Sequence, residues 1–204
     1  MVWHPNVHNF KNKLRTEVWT TLISVFVGGL IAFFSAYGYD FIKEGKERKE
    51  LANIFYLEIQ NNLLNVLVYL NQMGNRDDFI KHDTFVANDF NYQVFNAYIK
   101  DIRLFSSLEA VKILCFYGDL TKADEAKHMI AGNLNIDKRI WLGYVYDNYL
   151  YSIDYAKFLI SDFEKVYKVI PSKEVTDDIN NQEVKLIKNN PSLISKIING
   201  PNLP

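Results

Sequence analysis

VWTTLISVFVGGLIAFFSAYGY, residues 18–39, is a run of 22 residues without a formal charge. As a helix rising 1.5 Å per residue it spans roughly 33 Å, against about 30 Å for the hydrocarbon core of a bilayer. Trp19 stands near one end and Tyr37 and Tyr39 at the other, where amphipathic rings favour the membrane–water boundary. Lys11, Lys13 and Arg15 precede the run; Lys43, Lys46, Arg48 and Lys49 follow it. An uncharged stretch bracketed this abruptly by charge reads as a single N-terminal transmembrane helix. A buried core helix rarely carries such flanks. A cleaved leader would use Ala36 and Gly38 as an A-x-G site, but the apolar region is long for one and 17 residues precede it.

Ser24, Gly28, Ala32 and Ala36 recur every fourth residue along one face of that helix. A stripe of small side chains lets two backbones approach closely inside lipid, so this face is expected to bring helices of several copies together. Leu22, Phe26, Leu30 and Phe33 lie largely off the stripe, where they can meet lipid. Three basic residues before the span and four after it give almost no charge asymmetry. The short N-terminal tail and the absence of any possible disulfide point to an inner-membrane protein with its C-terminal part in the cytosol.

Beyond the anchor about 160 residues remain, enough for one domain with its own core. Hydrophobic residues make up 49% of the 204-residue chain and aromatics 15%, which excludes a disordered composition. The net charge is −1, from 23 basic and 24 acidic residues, so a domain binding nucleic acid by charge alone is not indicated. Cys115 is the only cysteine, consistent with a reducing compartment.

The expected organisation is a tail at 1–17, the membrane helix at 18–39, a charged juxtamembrane helix at 40–50, a helical bundle at 51–170 and a tail with short helices at 171–204. In DFIKEGKERK (40–49) acidic and basic residues interleave at helical spacing, and nothing stronger than Gly45 separates the anchor from the next helix. Leu51, Ile54, Phe55, Ile59, Leu63, Val66, Leu67, Leu70 and Met73 share one helical face. Residues 74–91 read as a loop with a short helical piece, and 92–105 as a helix. Ser106 and Glu109 form a capping box that opens the next helix, with a break expected at Gly118-Asp119 before a second piece over 121–131. A turn at 133–137 leads to a long helix over 136–170, ended by Pro171. The polar stretch 172–190 is expected to be partly helical, and Asn190-Pro191-Ser192 to start a short helix that stops at Gly200. No strand, hairpin or repeat is indicated, so the fold class is all-α.

No phosphate loop, zinc-binding pair or nucleophile elbow occurs, and neither a cofactor nor a metal is expected. His82-Asp83 and His128 with Asp124 and Glu125 have no fixed ligand geometry. Glu58 and Asn62, four apart beside the apolar face of the helix after Leu51, are candidates for a buried polar network. A buried carboxylate needs partners, which asparagines of a ring of subunits could supply. Tyr144, Tyr146, Tyr149, Tyr151 and Tyr155 do not all fall on one stripe, so some face outward as a candidate protein-binding surface.

Arg76 and His82 are separated by five residues. This spacing resembles the R-x4-6-H signature of HEPN domains, helical bundles that often act as ribonucleases. The resemblance implies His82 as general acid/base and Arg76 as the group that steadies the phosphate, in a site shared across a dimer. The alternative is a surface loop with Arg76 paired to Asp77 or Asp78. One membrane helix followed by such a bundle also resembles the small membrane-anchored accessory proteins of type VI CRISPR systems, which implies pore formation in antiviral defence. The favoured reading is a non-enzymatic, self-associating single-pass membrane protein with the lipid bilayer and its own copies as partners. A membrane-tethered HEPN-type ribonuclease acting on RNA is the alternative. A tether for a soluble cytosolic protein is the third.

Overall fold

The computed structural model describes residues 7–81, 90–132 and 137–191, with side chains from residue 24 onward apart from Ala36. Every regular element among them is helical. The chain divides into two units, Met1–Glu47 and Arg48–Pro204.

No proline occurs between positions 6 and 170, and α1 runs from Val7 to Met73 without interruption. Residues 40–50 are thus part of one helix with 18–39, and apart from the half-buried Arg48 their charged side chains are exposed, as in the Lys43–Glu47 pair at 3.8 Å. Gly74 ends the helix with φ +81°, a left-handed conformation that costs glycine nothing, and its N–H returns to the Leu70 carbonyl at 3.1 Å.

The single turn α2 (Arg76–Phe79) follows, capped by Asn75, whose Oδ1 accepts the Asp78 N–H at 3.0 Å. Its Phe79 is buried against Tyr69 of α1 and Tyr146 at ring distances of 5.8 and 5.3 Å. The helix expected over 92–105 is α-helical only as α3 (Gln93–Tyr98) and tightens to a 3-10 helix over Ile99–Leu104. The capping box then opens α4 (Ser107–Gly132): the Ser106 N–H donates to Glu109 Oε2 at 2.7 Å, and the Glu109 N–H to Ser106 Oγ at 3.3 Å.

The break expected at Gly118-Asp119 is absent, and α4 is one helix of 26 residues. Phe116, Tyr117, Leu120 and Ala123 are fully buried on either side of the glycine, and burial of that continuous face outweighs the roughly 1 kcal/mol that glycine costs a helix interior. Asp137 caps α5 (Lys138–Val166) by accepting the Arg139 N–H at 3.0 Å; the rest of the turn expected at 133–137 lies outside the described residues. This helix stops before Pro171. Lys168 adopts φ +57°, and the Val169 N–H folds back to the Phe163 carbonyl at 3.4 Å while the Val169 side chain is buried. Residues 173–189 form one amphipathic helix, α6 (Lys173–Asn189), which buries Ile179 and Leu186. The helix expected after Pro191 lies outside the described residues.

The second unit packs around the 51–70 portion of α1. Phe55, Ile59, Leu63, Val66, Leu67 and Leu70 are at most 1% exposed, each contributing about 1.5–3 kcal/mol of hydrophobic transfer. Phe55 meets Phe105 and Tyr117 edge-on at 5.9 and 6.2 Å, and Tyr69 meets Tyr149 of α5 at 5.5 Å. On the far side, α6 is tied to α1 by the Asn71 amide donating to the Gln182 carbonyl at 2.8 Å, and to α5 by a Lys157–Glu183 ion pair at 3.1 Å.

Candidate functional site

Every residue from 24 to 35 is exposed. Val25, Phe26, Phe33 and Phe34 each leave about two thirds of their surface open, and this is the one described helix long and apolar enough to cross a membrane. Water-soluble surfaces rarely carry a contiguous apolar patch beyond a few hundred Å², so the run is a candidate membrane-spanning segment. Ser24, Gly28 and Ala32 follow one another along the helix, all exposed, and a Cβ added at Gly28 would meet nothing within 4 Å. The side chains of Trp19 and Ala36 lie outside the described residues. Tyr37 and Tyr39 are exposed at the C-terminal end of the segment.

Glu58 and Asn62 lie on one face of α1, 3% and 0% exposed. Glu58 accepts the Val94 N–H at Oε2 (2.7 Å) and the Phe95 N–H and Tyr117 O–H at Oε1 (3.2 and 2.7 Å). The two amides are first-turn donors of α3, so a carboxylate from another helix caps it. One turn further along α1, Asn62 grips Asn91 twice: Nδ2 donates to its carbonyl at 2.7 Å, and Oδ1 accepts its N–H at 2.9 Å. All of these partners belong to the same chain, so the network is complete without a ring of subunits. Burial, then the Glu58 hydrogen bond, pushes the Tyr117 hydroxyl far above its ordinary range and keeps it a donor.

Arg76 pairs with neither Asp77 nor Asp78. Its guanidinium makes a fork with Asp147 of α5, Nε to Oδ1 at 3.3 Å and Nη2 to Oδ2 at 3.2 Å, and lies across Gly143, where a Cβ would come within 2.8 Å of Nη2. That fork engages two of the five guanidinium N–H groups, and the side chain is half exposed. His82 lies outside the described residues.

Among the α5 tyrosines, Tyr146 and Tyr149 are core, Tyr155 is half-buried, and Tyr144 and Tyr151 are exposed. Two buried lysines escape a reading by sequence pattern. Lys112 lies over the rings of Tyr155 and Phe158 at 4.9 and 5.4 Å. Lys127 pairs with Asp124 and lies 5.0 Å above the Phe90 ring, while the Tyr92 hydroxyl donates to Asp124 at 2.6 Å. Asp124 is thereby engaged, with His128 exposed beside it. The i,i+3 spacing of Asp124 and Lys127 was visible in the chain, but nothing in the chain marks the side as buried.

Glu109, beyond its capping role, accepts the Tyr167 O–H at 2.9 Å. Burial opposes its charge, but hydrogen bonds from Ser106, Tyr167 and Asp162 outweigh burial and hold it below the usual carboxylate range. Burial and the neighbouring Glu109 push Asp162 upward. No family model, curated protein or solved structure matches the chain.

Proposed function

We propose that the chain is a single-pass membrane protein that self-associates. In this reading segment 18–39 sits in the bilayer, and the cytosolic helical bundle drives assembly or receives a signal. The observation that carries it is the fully exposed, charge-free apolar run at 24–35, on a helix that also supplies the core face of a folded unit. Self-association draws support from the exposed small-residue face through Ser24, Gly28 and Ala32, which lets helices approach closely where no hydrophobic effect drives them together. Under the resemblance to membrane-anchored defence proteins, gathering of these helices would open a pore. The ribonuclease alternative would require Arg76 to leave or share its exposed fork with Asp147.

The test is chemical crosslinking in native membranes. Wild-type protein is expected to give oligomers, Gly28→Leu to lose them about tenfold, and Phe26→Leu, off the stripe, to keep them. Monomer throughout, or equal crosslinking of wild type and Gly28→Leu, rejects assembly through this face.

A further inference from the structure

From Leu51 to Met73 the only charged residue of α1 is Glu58, and Glu58 is buried. One face of this segment supplies the core, so the opposite face is turned outward without a single charge. A solvated helix face ordinarily carries charged side chains, and their depletion marks the centre of a protein interface.

Along that outward face run Ile54, Leu57, Asn61, Leu64 and Val68, in alternating steps of three and four residues. Ile54 is 36% and Leu57 56% exposed, Asn61 is exposed, and Leu64 and Val68 are half-buried. This spacing is that of the a and d positions of a heptad, with Ile54, Asn61 and Val68 at a and the two leucines at d. β-Branched side chains at a with leucine at d favour two parallel strands, and a single asparagine at a specifies register and strand number. Asn61 has no side-chain partner among the described residues, whereas its neighbour Asn62 is satisfied by Asn91. An asparagine amide carries both donors and an acceptor, so two copies of Asn61 facing each other satisfy one another, which an apolar partner surface could not do.

The seam is bounded at both ends. The preceding a and d positions are Glu47 and Glu50, and the next d position is Asn71, whose amide donates to the Gln182 carbonyl. Between them lie two heptads, about 21 Å of helix. Glu58 and Gln60, which flank the seam, are taken into the chain's own core. So narrow a strip covers well under the roughly 800 Å² per partner of a stable free dimer. It suits a partner already held alongside, and copies tethered in one bilayer meet at effective concentrations on the order of millimolar.

We propose that Ile54, Leu57, Asn61, Leu64 and Val68 pair with the same residues of a second copy in a parallel, in-register, two-stranded seam, Asn61 bonding to Asn61. The inference rests on the self-association proposed above and gives its part outside the membrane a definite stoichiometry of two.

The test is disulfide trapping in native membranes of the full-length chain carrying Cys115→Ala and one introduced cysteine. Oxidation with copper phenanthroline is expected to link Leu57→Cys and Asn61→Cys into dimers about tenfold more efficiently than Glu125→Cys, an exposed site on α4. Leu57→Lys placed in the Asn61→Cys chain should cut that yield about tenfold, with helical content unchanged because Leu57 is exposed. Wild type that forms oligomers on chemical crosslinking, while Asn61→Cys and Leu57→Cys trap no better than Glu125→Cys, overturns the seam and leaves association through the membrane face standing. Trapping undiminished by Gly28→Leu upholds the seam and rejects the membrane face. Wild type that is monomeric throughout overturns both.

Discussion

Glu58 concentrates three accepted hydrogen bonds on a single carboxylate that is 3% exposed. Glu58→Ala would strand two backbone donors and the Tyr117 hydroxyl in the core. The expected loss is about 3 kcal/mol, and the melting temperature followed by circular dichroism should fall by roughly 6–12 °C. Asp154 works in the opposite sense. Burial raises its carboxyl to about 6 from an ordinary 3.8, against the pull of Lys157 and Lys112. Between those two pH values the folded chain holds a proton that the unfolded chain has released, so stability falls as pH rises through the window. Asp154→Asn removes that loss. Because the carboxyl is half-buried and screened by solvent, the gain at pH 7 is about 1 kcal/mol, read as a rise of about 2–4 °C that disappears near pH 4. An unchanged difference at acid pH would show that burial of the charge is not its source.

At the scale of elements, local chemistry was legible and long-range chemistry was not. The capping box at Ser106 and Glu109 could be read because both groups sit within one turn. Glu58 and Asn62 could be recognised as a polar pair beside an apolar face, but their partners lie 29 to 59 residues away and no periodicity reports them. Gly118 was misleading because intrinsic propensity is a weak prior against a buried face of Phe116, Tyr117 and Leu120. Pro171 was misleading because the chain had already turned at Lys168, a left-handed residue that composition does not mark. The two helical glycines of α4 and α5 give a paired expectation. A Cβ at Gly118 meets nothing within 4 Å, so Gly118→Ala should raise stability by about 0.5–1 kcal/mol. Gly143→Ala gains the same helix propensity but drives the Arg76 guanidinium off Asp147, an exposed fork worth up to about 1 kcal/mol, so its net change should be close to zero. Thermal melts of both variants check the pair, and equal stabilisation would mean that Arg76 relocates without cost.

For the whole molecule the membrane reading makes the plainest demand. The intact chain is expected in the pellet after ultracentrifugation of lysed cells and to stay there through alkaline carbonate washing; recovery in the supernatant rejects it. Replacing Val25, Phe26, Phe33 and Phe34 by serine should release the chain. The paired grips of Glu58 and Asn62 on residues 91–95 have one more consequence. They sit one turn apart on α1, and each is a short bond to backbone. A slide of one residue along the axis moves both by about 1.5 Å and swings them by about 100°, beyond hydrogen-bonding range together. The core segment of α1 therefore cannot creep past α3; it behaves like an indexed shaft held by a detent, seated or released, with no partial position between.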